Sequence, residues 1–336
     1  MRSRTWVFII LGLAGVGAIL IYAYLQRQRK TEEMLLALEE ADYDKGREAV
    51  EWLIKRGRAV VPRLNDIVAG PAEPPARRWR AAMILGETGG SDSVDSLIEV
   101  LAAHLDLVEA PDDDQMAVTA AAAAALGRLG ATKAAPELTQ LVGKSDAGLD
   151  VRCAAARALG RMREKNAIEE LAAVLADHPP VPPEEEETDE GAEADEAEAE
   201  EEEVEAEEDL TIPLRIAACE ALAAIGDGAA VPYLIEAADR EVEPDLGVRR
   251  AATAALGVIG SQDAVAILVD NLQDVEEEPA AEGDPIPDTD GDIRVAAAIA
   301  LGRTGGEQAR SALQAALQDK HYWVRRASAR SLRELQ

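Results

Sequence analysis

Side chains with the chemistry of catalysis or metal binding are few in this sequence and lie far apart. The three histidines are His104, His178 and His321, and the two cysteines are Cys153 and Cys219. A metal site or an acid–base pair needs such side chains at short, regular spacings, and the sequence has none. Two cysteines are also too few for a disulfide framework. We therefore expect no catalytic residue, no cofactor-binding residue and no metal ligand, and a protein that is not an enzyme.

One acidic stretch, DTDGD at residues 288–292, has part of the spacing of a calcium-binding loop. An EF-hand loop requires D-x-D-x-D-G with a glutamate at its twelfth position, whereas Ile293 stands where that glycine should be. Asp292 is instead expected to cap a helix that begins at Ile293. The metal interaction that remains is weak, nonspecific binding of divalent cations by the acidic loops.

The composition of the chain indicates closely packed helices. Hydrophobic residues make up 48% of its 336 residues but aromatic residues only 3%, so the core must consist of alanine, leucine, valine and isoleucine. Such a composition suits helices better than sheets, which favour aromatic and β-branched residues. The formal charge of −31 excludes binding to the nucleic-acid backbone, which requires a basic surface.

Residues 5–25 contain no charged side chain, and a helix of that length would cover the hydrocarbon core of a bilayer, about 30 Å. We therefore expect residues 1–30 to be a single-pass membrane anchor with basic flanks, with a cleaved signal peptide as the alternative. Two arginines precede the stretch, and Arg27, Arg29 and Lys30 follow it. The numbers of positive charges on the two sides of the stretch are nearly equal. The positive-inside rule therefore leaves open on which side of the membrane the rest of the protein lies.

A repeated pattern defines the remainder of the chain. Val248 begins VRRAATAALGVIG and Ile293 begins IRVAAAIALGRTG, and related copies begin at Val118, Val151 and Leu214. A second amphipathic pattern follows each copy. The glycine that closes the first helix supplies a left-handed turn. Each unit is thus a helix pair that cannot bury its apolar face alone, so the sequence predicts an all-α fold, an α-solenoid of stacked pairs preceded by one transmembrane helix.

The V-R-x-A-A-x-x-A-L-G-x-x-G pattern resembles the HEAT-like repeats first associated with phycobilisome lyases, from about Lys45 to Gln336. The resemblance implies a curved helical array that binds other proteins. The family also includes bilin lyases and an iron-dependent deoxyhypusine hydroxylase that relies on His-Glu pairs. This sequence has no His-Glu dipeptide, which excludes the hydroxylase. A lyase-type or accessory factor for chromophore attachment or protein modification stays as the alternative function.

An arginine recurs at one position of the repeat, with Thr119 interrupting the row, and acidic residues such as Asp150, Asp245 and Asp292 precede it. Because the arginine recurs with the repeat itself, we expect it to tie one repeat to the next rather than to form an anion-binding row. These structural arginines are Arg78, Arg152, Arg215, Arg249, Arg294 and Arg325.

Acidic insertions interrupt the repeats. Residues 31–177 and 211–336 are predicted to be two halves of the HEAT-like array, separated by a disordered acidic insertion at 178–210. Positions 184–209 contain 18 acidic residues and no lysine or arginine. A second acidic loop covers 275–292. The insertions are expected to project from one edge of the solenoid. There they either attract a basic partner electrostatically or act as a solvated spacer.

The second helices are expected to line the concave surface, where their polar residues either bind a partner or are simply solvated. The candidate partner-binding residues are Glu99, Glu137, Glu169, Glu170, Tyr233, Glu236 and Asp270. Their charge predicts a basic protein partner. A basic C-terminal helix, residues 322–335, is expected either to cap the array or to produce self-association by docking on acidic loops. The sequence thus predicts a membrane-anchored HEAT-repeat scaffold or adaptor that acts by protein–protein binding.

Overall fold

A computed structural model of the chain describes residues 2–40, 43–177, 209–273 and 288–335. Within these ranges the secondary structure is entirely helical, as predicted, and contains no strand. The chain divides into two compact units, Met1–Met162 and Arg163–Gln336. The acidic insertions fall largely outside the described ranges, so the predictions made for 178–210 and 275–292 stay predictions.

The helices alternate between two layers in each unit. The first unit contains α1 (Arg2–Leu36), α2 (Tyr43–Arg56), α3 (Val61–Ala69), α4 (Pro75–Thr88), α5 (Ser91–Leu105), α6 (Asp113–Leu129), α7 (Ala135–Gly143) and α8 (Leu149–Met162). The second contains α9 (Ile168–Leu175), α10 (Ile212–Ile225), α11 (Val231–Glu236), α12 (Leu246–Ile259), α13 (Val265–Gln273), α14 (Asp288–Thr304), α15 (Glu307–Ala315) and α16 (Tyr322–Glu334).

Helices of the same layer pack on one another from repeat to repeat. In the first unit α4 packs on α6 and α6 on α8, while α5 packs on α7. In the second, the series α10, α12, α14 and α16 forms one layer, and α13 packs on α15 in the other. This arrangement is a solenoid of stacked helix pairs, so the predicted repeat architecture is confirmed.

The glycine of the Leu-Gly step explains how closely the first helices approach. A Cβ atom on Gly127 would lie 2.8 Å from the Cα of Ala158 in α8, and one on Gly257 would lie 2.6 Å from the Cα of Ala300 in α14. Both distances are shorter than real Cβ contacts, so only glycine permits this packing. Three residues later Gly130 and Gly260 end α6 and α12 in the left-handed conformation, with φ of 63° and 74°.

The prediction of a membrane anchor over residues 5–25, and of a membrane localisation, is contradicted. Among the residues that the structure describes, no helix is both long enough and apolar enough to cross a bilayer. The stretch is part of α1, which continues to Leu36. The later turns of that helix carry charged side chains at Arg27, Arg29, Lys30, Glu32 and Glu33, and Met34 and Leu35 are buried.

The DTDGD stretch is helical rather than a cap before a helix. α14 begins at Asp288, so Asp292 and Ile293 both lie inside it. Acidic residues are favourable in the first turns of a helix because its N-terminus carries partial positive charge. The expected helix start at Ile293 is therefore too late.

Candidate functional site

A groove between α9 and α11 in the second unit collects three of the predicted partner-binding residues. Glu169, Tyr233 and Glu236 line this groove, whose volume is about 350 Å³. Glu169 and Glu236 are exposed, and 40% of the Tyr233 surface is accessible. The two helices are consecutive second helices, so their outward faces lie side by side. We call this feature the α9–α11 groove.

The floor of the α9–α11 groove is apolar. Its other lining residues include four alanines, Leu175 and Val242, and no lysine or arginine lines it. The hollow follows from the sequence, because alanine stands where a larger apolar residue would fill the space between two amphipathic helices. The groove therefore combines an apolar base, one aromatic ring and two solvated carboxylates without a countercharge among its lining residues.

The remaining candidate residues lie elsewhere. Glu99 on α5 and Asp270 on α13 are exposed, whereas Glu137 on α7 and Glu170 on α9 are partly buried. None of the four lines the α9–α11 groove. They lie on second helices as expected, and their role in binding stays a prediction.

Glu243 closes one end of the groove and connects two of the repeat arginines. Only 1% of its surface is accessible, and its carboxylate forms an ion pair with the fully buried Arg215, which also pairs with Asp209. The backbone oxygen of Glu243 accepts a hydrogen bond of 2.9 Å from Nη1 of Arg249. Glu243 thus joins α10 to α12 and holds the wall of the groove in place.

The same arrangement recurs four helices later, between α14 and α16. Nη1 of Arg294 donates a hydrogen bond of 2.7 Å to the carboxylate of Asp319, and the backbone oxygen of Asp319 accepts one of 2.7 Å from Arg325. In the first unit the arginines bind carbonyl groups instead: Nε of Arg78 donates to Val68 at 3.0 Å and Nε of Arg152 to Val142 at 2.8 Å. Every arginine of the row contacts a loop or a helix end, and its structural role stays a prediction.

The acidic residues that pair with arginines of the row, Asp209, Glu243 and Asp319, were missed in the sequence, although a signal was present. An acidic residue stands six positions before five of these arginines, as Asp146, Asp209, Glu243, Asp288 and Asp319. The residues considered instead, Asp150, Asp245 and Asp292, lie only two or four positions before. Of these, Asp245 accepts a hydrogen bond from the backbone N–H of Val248 and caps α12.

His104 forms a buried polar link in the first unit, and Thr119, which interrupts the arginine row, is its partner. The His104 ring lies 3.0 Å from the Thr119 hydroxyl through Nδ1 and 3.0 Å from the backbone oxygen of Ala147 through Nε2. Burial lowers the pKa of His104. This effect is larger than that of the hydrogen bond to Ala147, which raises the pKa. The ring is therefore neutral at pH 7 and joins α5, α6 and the loop before α8.

This link predicts a pH dependence of stability. Because the pKa of His104 is lower in the folded protein than in the unfolded chain, the unfolded chain binds a proton first as pH falls below about 6.5. Stability is therefore expected to decrease from pH 7 to pH 5 more in the wild-type protein than in His104→Asn, which cannot titrate. Urea midpoints at both pH values measure this. Identical decreases in the two proteins would contradict it.

The two cysteines of the described residues occupy buried positions. Cys153 and Cys219 are both buried, and burial raises the pKa of the Cys219 thiol to about 12. Such a thiol is protonated and unreactive at neutral pH. Within the described part of the chain, no group of three or more histidine, cysteine, aspartate or glutamate side chains could hold a metal ion. His178 lies outside the described residues.

Comparisons with known proteins identify the repeats. The family model for HEAT repeats matches residues 105–182, 205–282 and 286–336, and that for the PBS lyase HEAT-like repeat matches residues 77–103. No significant similarity to a curated protein was found.

The similar solved structures have low sequence identity. The Escherichia coli protein YibA has a TM-score of 0.52 and 15% identity, covering 90% of this chain and 92% of its own. The CpcE–CpcF complex of phycocyanin lyase from Nostoc has a TM-score of 0.42 and 20% identity, covering 91% and 94%. Because the HEAT-repeat model matches more than half of the sequence, this chain belongs to the HEAT-repeat family.

Proposed function

We propose that the protein is a scaffold that acts by binding rather than by catalysis, and that the α9–α11 groove receives a basic side chain of a partner protein. HEAT repeats generally mediate protein–protein binding. The observation that carries the proposal is the convergence of Glu169, Tyr233 and Glu236 on one hollow with an apolar floor and no basic lining residue.

The chemistry of the groove suits lysine or arginine better than other side chains. The methylene stem of either residue can cover the alanines of the floor while its cationic head stays near the two carboxylates. The exposed ring of Tyr233 adds a face on which a cation is attracted. An acidic or neutral side chain would leave both carboxylates without a countercharge. The groove therefore selects for positive charge on a flexible stem.

One groove supports only modest affinity. Each exposed carboxylate contributes about 1 kcal/mol or less to an ion pair. A partner of physiological affinity must therefore contact further second helices as well. Glu99, Glu137, Glu170 and Asp270 are the proposed additional contacts.

Replacing both groove carboxylates is expected to weaken binding of a basic probe selectively. The probe is a fluorescent peptide of alternating lysine and alanine, titrated at about 150 mM salt to screen long-range attraction. Glu169→Gln/Glu236→Gln should raise its Kd about tenfold, since about 1.4 kcal/mol is lost.

The matched control removes two charges outside the groove. Glu48→Gln/Glu51→Gln, at two exposed glutamates of α2 that are not candidate contacts, produces the same net charge, so any general attraction between an acidic protein and a basic peptide falls equally in both variants. We expect the control to change Kd less than twofold. Equal losses in the two variants would show that the groove has no special role and would contradict the proposal.

A further inference from the structure

The exposed face of α16 differs in character from the rest of this acidic protein. Trp323, Arg326, Arg330 and Arg333 follow one another at spacings of three, four and three residues, so they lie on one side of the helix. All four are exposed, and 51% of the Trp323 surface is accessible. We call this stripe, with the neighbouring Lys320 and Tyr322, the α16 face.

The aromatic and basic groups of the α16 face are arranged together. The Tyr322 and Trp323 rings meet edge to face with centroids 5.1 Å apart, and the guanidinium of Arg326 lies 5.3 Å from the Trp323 centroid. Arg330 pairs with Glu334 at 2.9 Å, and Nε of Arg333 donates to the backbone oxygen of Ala329. One carboxylate therefore faces three arginines and a lysine, and the face keeps a positive charge.

The residue types on this face do not suit packing of another repeat of the same kind. In α6, α12 and α14 the position of the Leu-Gly glycine allows the next first helix to approach closely, as Gly302 does for Ser331 of α16. In α16 the equivalent residue is Arg333. An arginine there prevents the close approach that the glycines permit, so the face suits a ligand other than a HEAT first helix.

We propose that the α16 face binds an acidic segment, residues 184–208, of a second copy of this chain. The argument is charge complementarity. That stretch contains 17 acidic residues and no lysine or arginine, while the chain as a whole carries −31, so basic faces such as this one are scarce. Aromatic rings beside arginines add apolar contact for the alanines and the valine that separate the acidic residues. The inference is independent of the proposed function of the α9–α11 groove.

Such a contact joins two different surfaces, so each copy presents both a donor segment and an acceptor face. A reciprocal exchange between two copies closes a two-fold dimer, and contacts that continue from copy to copy produce rings or open chains. Because the attraction is between exposed charges, it depends strongly on ionic strength. Self-association is therefore expected to increase with protein concentration at low salt and to disappear at high salt.

Sedimentation velocity of the full chain at about 10 mM and about 0.5 M salt tests this. The wild-type sedimentation coefficient should increase with concentration at low salt only. Arg326→Glu/Arg330→Glu should lower the association constant at least about tenfold. The control, Arg47→Glu/Arg63→Glu, makes the same charge change at two exposed arginines in the first unit and should associate nearly as the wild type does. No concentration dependence in the wild type, or equal loss in both variants, overturns the proposal.

Cross-linking identifies the segment that occupies the face. Carbodiimide treatment of a mixture of ¹⁴N- and ¹⁵N-labelled protein couples the exposed amine of Lys320 to nearby carboxylates. We expect cross-linked peptides that pair Lys320 of one isotope with residues 184–208 of the other. Cross-links within a single isotope only would place the contact inside one chain, and cross-links to other carboxylates would identify a different occupant. Either result overturns the proposal.

Discussion

Replacing Arg215 with alanine is expected to lower the free energy of unfolding by about 3–5 kcal/mol, the largest effect predicted for a single side chain. Arg215 is fully buried and pairs with Glu243, of which only 1% is accessible, and with Asp209. Removing the cation leaves the Glu243 carboxylate buried without its partner. The loss of stability arises from this buried, uncompensated charge more than from the lost attraction, because a buried pair as a whole contributes little net stability.

Urea unfolding followed by circular dichroism measures the effect, and two further variants separate its causes. Arg215→Met/Glu243→Gln removes both charges and should recover most of the loss. Arg152→Ala, at the equivalent position of the first unit, loses one hydrogen bond to the Val142 carbonyl and should cost only about 1 kcal/mol. If Arg215→Ala costs no more than Arg152→Ala, Glu243 does not depend on Arg215 and the account of the repeat junction is wrong.

Replacing Gly257 with leucine is the second large change, with an expected cost of about 3 kcal/mol. A Cβ atom at this position would lie 2.6 Å from the Cα of Ala300, which belongs to the backbone of α14 and cannot rotate away. The two helices would have to separate, and the contacts between α12 and α14 would be lost along their length. The higher helix propensity of leucine offsets only about 1 kcal/mol of this.

Introducing leucine at an exposed position of the same helix is the control. Ala254→Leu lies on the exposed side of α12 and should change the urea midpoint little. Hydrogen exchange of α12 and α14 amides should accelerate in Gly257→Leu and not in Ala254→Leu. Unchanged exchange and an unchanged midpoint in Gly257→Leu would mean that the close approach of these helices does not contribute to stability.

Repeated spacing explains why so much of the fold was predictable. The Leu-Gly step and the amphipathic pattern after it recur several times, so a copy with an ambiguous sequence can be interpreted by comparison with the others. The α9–α11 groove was predictable in part, because Glu169, Tyr233 and Glu236 occupy outward positions of consecutive second helices. That these three share one groove, and that Asp270 does not, depends on side-chain sizes in three dimensions that the pattern does not encode.

Other features depended on tertiary contacts. Glu243 and Asp319 were missed because their partners include arginines of the preceding repeat, 28 and 25 residues away. The link from His104 to Thr119 and Ala147 likewise joins three separate elements. The stretch at 5–25 was interpreted by its lack of charge alone, and the described residues contain no helix that meets the requirements of a membrane span.

A double-mutant cycle between the protein and the basic probe is the most direct test of the proposed binding groove. The Kd values are measured for wild-type protein and Glu236→Gln, each with the lysine peptide and with one in which a single lysine is replaced by norleucine, scanned along the peptide. We predict a coupling free energy of about 1 kcal/mol at one peptide position and none for the control Glu51→Gln, at an exposed glutamate of α2. Coupling that is absent at every position, or equal for Glu236 and Glu51, would contradict binding of a basic side chain in the α9–α11 groove.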